Sequence, residues 1–294
     1  DGVDFLWEVN ERWGELCRTP ERASRAADEL LPLVKASWQE RFGYFRGTQA
    51  CLDCLRAAGR YDELLALIDA APVLSWRHRR FGVRALAEQG RTDEAIAYAQ
   101  ASLGLNDSPS DIAGTCEAIL LDAGRSDEAY ERFALEANRA GTYLAICRSL
   151  IKKYPDRAPR AILDRLIAST PEDPGRWFAT AKTLGFLDLA TELAERSPVD
   201  IGTLLRAARD HLESDPSFAM QASVAALRWM AAGQFYEITA GNVWDVRRYA
   251  LESAAATGQS EAIAAFLDEL IADAKADAFV RKQLAAPYAV RRPI

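Results

Sequence analysis

The chain has 294 residues and is rich in helix-forming side chains: 54 are Ala and 33 are Leu, whereas Val and Ile together number 24. Ala and Leu lose little side-chain freedom in a helix, and the β-branched residues that suit strands are scarce, so an all-β or parallel-sheet core is disfavoured. With 49% hydrophobic and 27% charged residues, the composition is that of a folded protein and excludes disorder throughout. We therefore expect an all-α fold.

The charge and the cysteines limit the classes of partner and compartment. There are 36 basic and 43 acidic residues, giving a formal charge of −7, so direct nucleic-acid binding through phosphates is not expected. The longest apolar run, near residues 216–227, stops at Arg228 and is too short for a membrane span. Five cysteines, an odd number in a chain long enough to build a core without disulfides, predict free thiols in a reducing cytoplasm.

Glycine turns recur along the first half of the chain. The pattern Gly-Arg-x-Asp-Glu begins at Gly59, Gly90 and Gly124, and weaker copies begin at Gly185 and Gly258. Glycine closes a helix because it takes the left-handed conformation without steric cost, and acidic residues favour the start of the next helix. Each of these glycines therefore predicts a turn between two helices.

The residues on either side of these turns repeat as well. Five positions after the glycine an apolar or small residue recurs, and nine positions after it another apolar residue follows. The first set is Leu64, Ala95, Ala129, Ala190 and Ile263, and the second is Ile68, Ala99, Phe133, Ala194 and Leu267. This helical spacing predicts hairpins of two helices that pack closely.

The glycine turn, the acidic start of the second helix and a period near 34 residues resemble the tetratricopeptide repeat. The resemblance covers residues 38–141. The chain departs from that pattern where an aromatic residue is expected eleven positions before the glycine, since Thr48, Arg79 and Ala113 stand there. The resemblance implies an α-α superhelix, a tetratricopeptide-like solenoid, over residues 1–141.

Proline-rich loops interrupt the pattern further along. The segments 154–159 and 170–174 each contain two prolines, which end one helix and begin the next, so degenerate hairpins are predicted for residues 142–198. Residues 199–294 are predicted to form a C-terminal helical cap. Within it, Pro216 opens a helix to about residue 232, and Thr239 caps another that ends near residue 256.

The segment from Asp215 to Thr239, with Val243-Trp244 after it, resembles the C-terminal region of an uncharacterised bacterial family of helical-repeat proteins. Some members of that family are associated with SWIM-type zinc fingers. The resemblance implies a fold and no activity. A SWIM finger needs a Cys-x-Cys and a Cys-x-His pair, and this chain contains neither.

No motif predicts catalysis, a cofactor or a metal. Cys51 and Cys54 form one Cys-x-x-Cys pair, but a structural zinc site needs four ligands and no second pair exists. Small buried side chains stand in the same repeat register, so packing is the favoured interpretation, with metal or redox use as the alternative. Phosphate-binding glycine loops and a nucleophile elbow are absent from the sequence, which predicts that the protein is not an enzyme.

One local cluster of basic and aromatic residues is the candidate partner-binding site. It comprises Trp76, Arg77, His78, Arg80 and Arg84, and its three arginines share a helix face at three- and four-residue spacing. Such a face binds a carboxylate or phosphate, and an acidic peptide is the partner that its charge favours. The alternative is a solvated helix face paired with neighbouring acids.

A second group of aromatic residues lies in the C-terminal region: Trp229, Phe235, Tyr236 and Trp244. Core packing is the favoured interpretation, and an exposed subset would indicate a docking surface. Together these patterns predict a non-enzymatic scaffold that binds a protein or peptide. The alternative is an accessory helical domain of a nucleic-acid-associated, SWIM zinc-finger-like protein.

Overall fold

The computed structural model describes residues 6–39, 45–73, 75–139 and 141–286. Helices joined by turns and short loops make up these ranges, and no strand occurs within them, so the all-α prediction is confirmed. The chain divides into two compact units, residues 1–140 and residues 141–294. The predicted division at residue 198 lies inside the second unit, and the ends of the predicted regions, residues 1–5 and 287–294, lie outside the described residues.

Ten helices of the first unit fall within the described ranges. They are α1 (Leu6–Glu11), α2 (Trp13–Leu16), α3 (Pro20–Gln39), α4 (Thr48–Ala57), α5 (Tyr61–Asp69), α6 (Trp76–Glu88), α7 (Thr92–Gln100), α8 (Pro109–Asp122), α9 (Ser126–Arg132) and α10 (Ala134–Ala137). Successive helices from α3 to α10 pack against each other, and α4 also packs against α6. The predicted hairpins are thus α4–α5, α6–α7 and α8–α9.

The glycine turns have the predicted conformation. Gly59, Gly90 and Gly124 have φ values of 72°, 73° and 73°. In each turn the N–H of the following arginine donates to the carbonyl five residues back, for example from Arg60 to Leu55 at 2.9 Å. This pairing is the Schellman closure, which satisfies a carbonyl at the end of the helix. The turns predicted at Gly185 and Gly258 are also confirmed, with φ values of 83° and 72°.

Two of the three arginines that follow these glycines, Arg60 and Arg125, link neighbouring hairpins, which the sequence pattern does not predict. Arg60 binds Glu63 in its own turn and Asp28 on α3, both at 2.6 Å. In the next hairpin, Arg91 pairs with Glu94 of its own turn at 2.6 Å. Two hairpins on from Arg60, Arg125 makes both kinds of pair. Its partners are Glu128 at 2.5 Å and Asp93 at 2.6 Å.

The core of the first unit lies between α3, α4, α5 and α6. Its buried side chains include Cys51, Cys54, Leu55, Leu64 and Phe81. All five cysteines of the chain are free thiols, and the four other than Cys17 are buried. The prediction that Cys51 and Cys54 pack in the core is confirmed.

The second unit contains nine described α-helices and a short 3₁₀ helix at Pro174–Trp177. The helices are α11 (Tyr143–Lys153), α12 (Pro159–Ala168), α13 (Phe178–Thr183), α14 (Leu187–Arg196), α15 (Ile201–His211), α16 (Pro216–Ala231), α17 (Ala240–Thr257), α18 (Ser260–Ala272) and α19 (Ala278–Ala285). Both predicted proline loops separate helices, and the long helices begin where they were predicted. Thr239 caps α17 through a reciprocal capping box with Asn242.

Candidate functional site

The candidate site is a groove between α6 and α8, which we call the α6–α8 groove. One face of α6 contributes Arg77, Arg80 and Arg84, and Trp76 lies at the same end as Arg77. The other wall is a face of α8, and Glu11 of α1 completes the lining. The groove has a volume of about 820 Å³. The three arginines therefore share an open face, as their spacing predicts.

The beginning of α6 is fixed by a side chain from the loop before α8. Ser75 is extended and precedes the helix. The Asp107 carboxylate accepts hydrogen bonds from the backbone N–H of Trp76 at 3.3 Å and of Gly104 at 3.0 Å. Trp76 itself is buried. Asp107 thus links the start of α6 to the loop before α8. The buried Trp76 fixes that end of the groove.

Arg80 is held by the protein itself. Its guanidinium forms an ion pair with the Glu11 carboxylate, and its Nε donates to the carbonyl of Arg77 at 3.3 Å. The side chain retains about a fifth of its full exposure. Arg80 is therefore largely neutralised by Glu11, which leaves less of its charge for a partner.

Arg84 has a different environment. It makes neither a hydrogen bond nor an ion pair with any residue in the described ranges, and its guanidinium lies 5.8 Å from the centre of the Phe81 ring. Arg84 is exposed in the groove, but partial desolvation of its guanidinium lowers its pKa, and the nearby charges of Arg80 and Arg56 lower it further. An arginine remains charged at neutral pH despite such a shift. A carboxylate beside Arg84 would relieve this repulsion.

The α8 wall is acidic and built of small residues. Asp111, Thr115 and Asp122 line it together with Gly114. A Cβ atom added to Gly114 would meet nothing within 4 Å, so the space beside it is open. The Ser108 hydroxyl caps the start of α8 by accepting from the N–H of Asp111 at 3.3 Å.

The groove as a whole carries both signs of charge. Three arginines stand against four carboxylates among the described lining residues, those of Glu11, Asp107, Asp111 and Asp122. The arginines lie on α6 and three of the carboxylates lie on or just before α8. The sequence predicts the basic wall only, because no pattern in it indicates which face of α8 lies toward α6.

His78 is the one predicted site residue that lies outside this groove. It lines a separate pocket of about 110 Å³ together with Asp69 and Arg79, and its ring centre lies 6.0 Å from that of Trp38. Burial, followed by the charge of Arg77 and that of Arg80, lowers the pKa of His78. The structure thus brings Trp76 and the three arginines together and places His78 elsewhere.

A buried charge network supports α6 at its far end. The Asp53 carboxylate, fully buried, accepts from the backbone N–H of Gly14 at 2.8 Å and pairs with Arg56 at 2.7 Å. Arg56 also pairs with Glu88, the last residue of α6, at 2.5 Å. These contacts join α2, α4 and α6. The sequence does not predict these contacts, because a carboxylate in a helix is ordinarily solvated.

The buried thiols are poor nucleophiles. Burial raises the pKa of Cys51 to about 12 and that of Cys116 and Cys147 to about 11. Burial is also the main cause that raises the pKa of Cys54, with the neighbouring Cys17 second. These thiols stay protonated at neutral pH. Within the described ranges, no three His, Cys, Asp or Glu side chains come together as metal ligands would.

The aromatic residues of the second unit divide between the core and the surface. Trp229 is half-buried, and its Nε1 donates to the carbonyl of Ala194 at 2.6 Å. Phe235 is half-buried as well, whereas Tyr236 is fully exposed and Trp244 is 40% exposed. The core-packing prediction is therefore confirmed in part for Trp229 and Phe235 and is wrong for Tyr236 and Trp244.

Comparisons of the chain with protein-family models, curated proteins and solved structures gave no match. The resemblances to the tetratricopeptide repeat and to the SWIM-associated family therefore stay predictions. Among the described residues, no helix is both long and apolar enough to cross a bilayer.

Proposed function

We propose that this chain is a non-enzymatic protein- or peptide-binding scaffold that holds a partner segment in the α6–α8 groove. The observation that carries the proposal is Arg84, a cation on the wall of an open groove with no hydrogen-bond or ion-pair partner among the described residues. A carboxylate from a partner would gain charge-assisted hydrogen bonds there. The groove volume is in the range that binding sites use.

We further propose that the hairpins of the first unit stack as a tetratricopeptide-like superhelix. The contact between α4 and α6 supports this arrangement, since these are the first helices of consecutive hairpins. The arginine bridges from Arg60 to Asp28 and from Arg125 to Asp93 support it as well, because each spans one repeat. Stacked hairpins offer a long surface to a partner.

The chemistry of the described side chains agrees with a binding role. The buried thiols have raised pKa values and stay protonated, which disfavours a cysteine nucleophile. His78 lies outside the groove that holds the arginines. Free, buried thiols also suit the reducing cytoplasm that we propose as the location.

The alternative, an accessory domain of a nucleic-acid-associated protein, has less support in the groove. Asp111 and Asp122 on α8 would repel a phosphate backbone that approached the arginines. No particular contact favours this second function.

The proposal is tested by selecting peptides from a random display library on the full chain and measuring their affinities by calorimetry. Replacing Arg84 by Ala removes a charge-assisted contact of about 1.5–3 kcal/mol, so we expect binding to weaken roughly 10- to 150-fold. Arg148→Ala is the matched control, because Arg148 is an exposed arginine on α11. The proposal fails if no peptide is selected, or if selected peptides bind Arg84→Ala as tightly as the unchanged chain.

A further inference from the structure

We infer that the α6–α8 groove binds an extended peptide segment in which acidic and basic residues alternate. The acidic side chains would face the arginines of α6, and the basic side chains would face the aspartates of α8. This inference rests on the proposed peptide-binding function and specifies its ligand.

The α6 wall offers one arginine in particular to an acidic side chain. Arg80 already pairs with Glu11, whereas Arg84 has no carboxylate within ion-pair distance in the described ranges. Arg84 is therefore the position at which an acidic side chain gains most.

The α8 wall offers two carboxylates to a basic side chain. Asp107 is engaged by two backbone N–H groups, but the carboxylates of Asp111 and Asp122 make no hydrogen bond or ion pair within the described residues. Both aspartates are exposed. A lysine or arginine from a partner could pair with either without displacing an internal contact.

The dimensions of the walls favour an extended segment of a few residues. Arg77 and Arg84 are seven residues apart on α6, which corresponds to about 10 Å along the helix. An extended chain covers this length in about three residues. Successive side chains of such a chain point to opposite sides. Acidic and basic residues at adjacent positions would therefore meet opposite walls.

The same charges disfavour the simpler ligands. A wholly acidic peptide, which the basic cluster alone predicts, would place negative charges against Asp111 and Asp122. A wholly basic peptide would meet Arg77 and Arg84 on the other wall. Alternation removes both repulsions, whereas grouping the charges into blocks restores them.

The test uses four acetylated and amidated octapeptides of equal length titrated into the full chain by calorimetry. Their central four residues are Glu-Lys-Glu-Lys, Glu-Glu-Lys-Lys, four Glu or four Lys, flanked by Gly and Thr. We expect the alternating peptide to bind at least 10-fold more tightly than each of the others. The block peptide is the sharpest control, because its composition and net charge are identical.

Double-mutant cycles then assign each charge to its wall. In Arg84→Gln, the alternating peptide should bind no more tightly with Glu than with Gln at its acidic positions. In the double variant Asp111→Asn with Asp122→Asn, it should bind no more tightly with Lys than with Gln at its basic positions. Arg148→Gln and Asp268→Asn are the controls on exposed positions of α11 and α18. These should leave both advantages intact.

The outcomes separate this inference from the proposed function. If library-selected peptides bind through Arg84 but the alternating peptide has no advantage over the block peptide, alternation is overturned and peptide binding stands. If neither the library nor the four peptides give binding, both are overturned. An advantage that survives in Arg84→Gln also overturns the inference.

Discussion

The glycine turns of the two units share their closure and differ in the residue after the glycine. At Gly59 and Gly124 that residue is an arginine, which bridges to an acidic residue of the preceding repeat. At Gly258 the next residue is Gln259, whose N–H closes the same turn at 2.8 Å but whose side chain makes no such bridge in the described residues. The glycine therefore ends the helix in both units, whereas Arg60 and Arg125 tie a hairpin to its neighbour. The third arginine, Arg91, pairs with Glu94 of its own turn.

The contacts between packed helices also differ between the two units. In the first unit the buried Asp53 and its partner Arg56 join three helices through charge. In the second unit α16 and α17 pack through small and apolar side chains, with the hydroxyl of the buried Ser253 donating to the carbonyl of Tyr249 in its own helix. The first unit therefore depends more on paired charges.

The largest effect should come from Asp53→Ala. The change leaves the N–H of Gly14 without its acceptor and Arg56 without its buried partner. Breaking a buried pair costs about 3–5 kcal/mol, so the free energy of unfolding of the first unit should fall by that amount. Urea unfolding with hydrogen exchange in each unit measures it. Equal loss of protection in both units would contradict the comparison.

Glycine substitutions should affect both units alike. Gly59→Ala and Gly258→Ala each force a side chain into the left-handed conformation, although neither added Cβ meets another atom within 4 Å. The conformational cost is about 1–2 kcal/mol at each position. Thermal unfolding of the two variants checks this prediction, and a cost in one unit alone would show that the closure is not shared.

Replacing a bridging arginine should have a smaller effect. Arg60→Gln removes the pairs to Asp28 and Glu63, which are partly exposed, so we expect a loss of about 0.2–1 kcal/mol that shrinks in high salt. The reverse change, Gln259→Arg, should bring no gain, because Ala262 stands where Glu63 does. Urea midpoints at two salt concentrations measure both changes. A salt-independent loss in Arg60→Gln would contradict the bridge.

The smallest effect concerns pH. Hydrogen bonds from Arg132 and Arg125 hold the pKa of Glu128 below its usual value. A carboxylate with a lowered pKa in the folded state stabilises the protein above its ordinary pKa, and that contribution is lost as the pH falls through the folded pKa. Glu128→Gln should thus lower the urea midpoint near neutral pH and lower it by less at about pH 3, which is below the ordinary pKa of a glutamate. A constant difference at both pH values would argue against the pairing.

The sequence predicts the helix boundaries well because their causes are local. Glycine at positions 59 and 258 predicts a turn at each, and Thr239 with Asn242 predicts the start of a helix. The packing of Cys51 and Cys54 follows from the register of the repeats.

The candidate site is predicted only in part because its charges come from different helices. The spacing of Arg77, Arg80 and Arg84 places them on one face, but the pairing of Arg80 with Glu11 depends on how distant segments pack. The acidic wall of α8 cannot be predicted from the sequence for the same reason. The separation of His78 from the arginines is a consequence of helix geometry, since it lies one residue from Arg77 and turns away from the groove.

A steric block of the groove tests its role most directly. Gly114 lies on the α8 wall and has open space beside it, so Gly114→Trp should keep the fold and fill the groove. We expect library-selected peptides to lose binding to this variant, while Ala256→Trp on an exposed face of α17 binds them unchanged. A folded Gly114→Trp variant that binds the same peptides with undiminished affinity would contradict the assignment of this groove as the binding site.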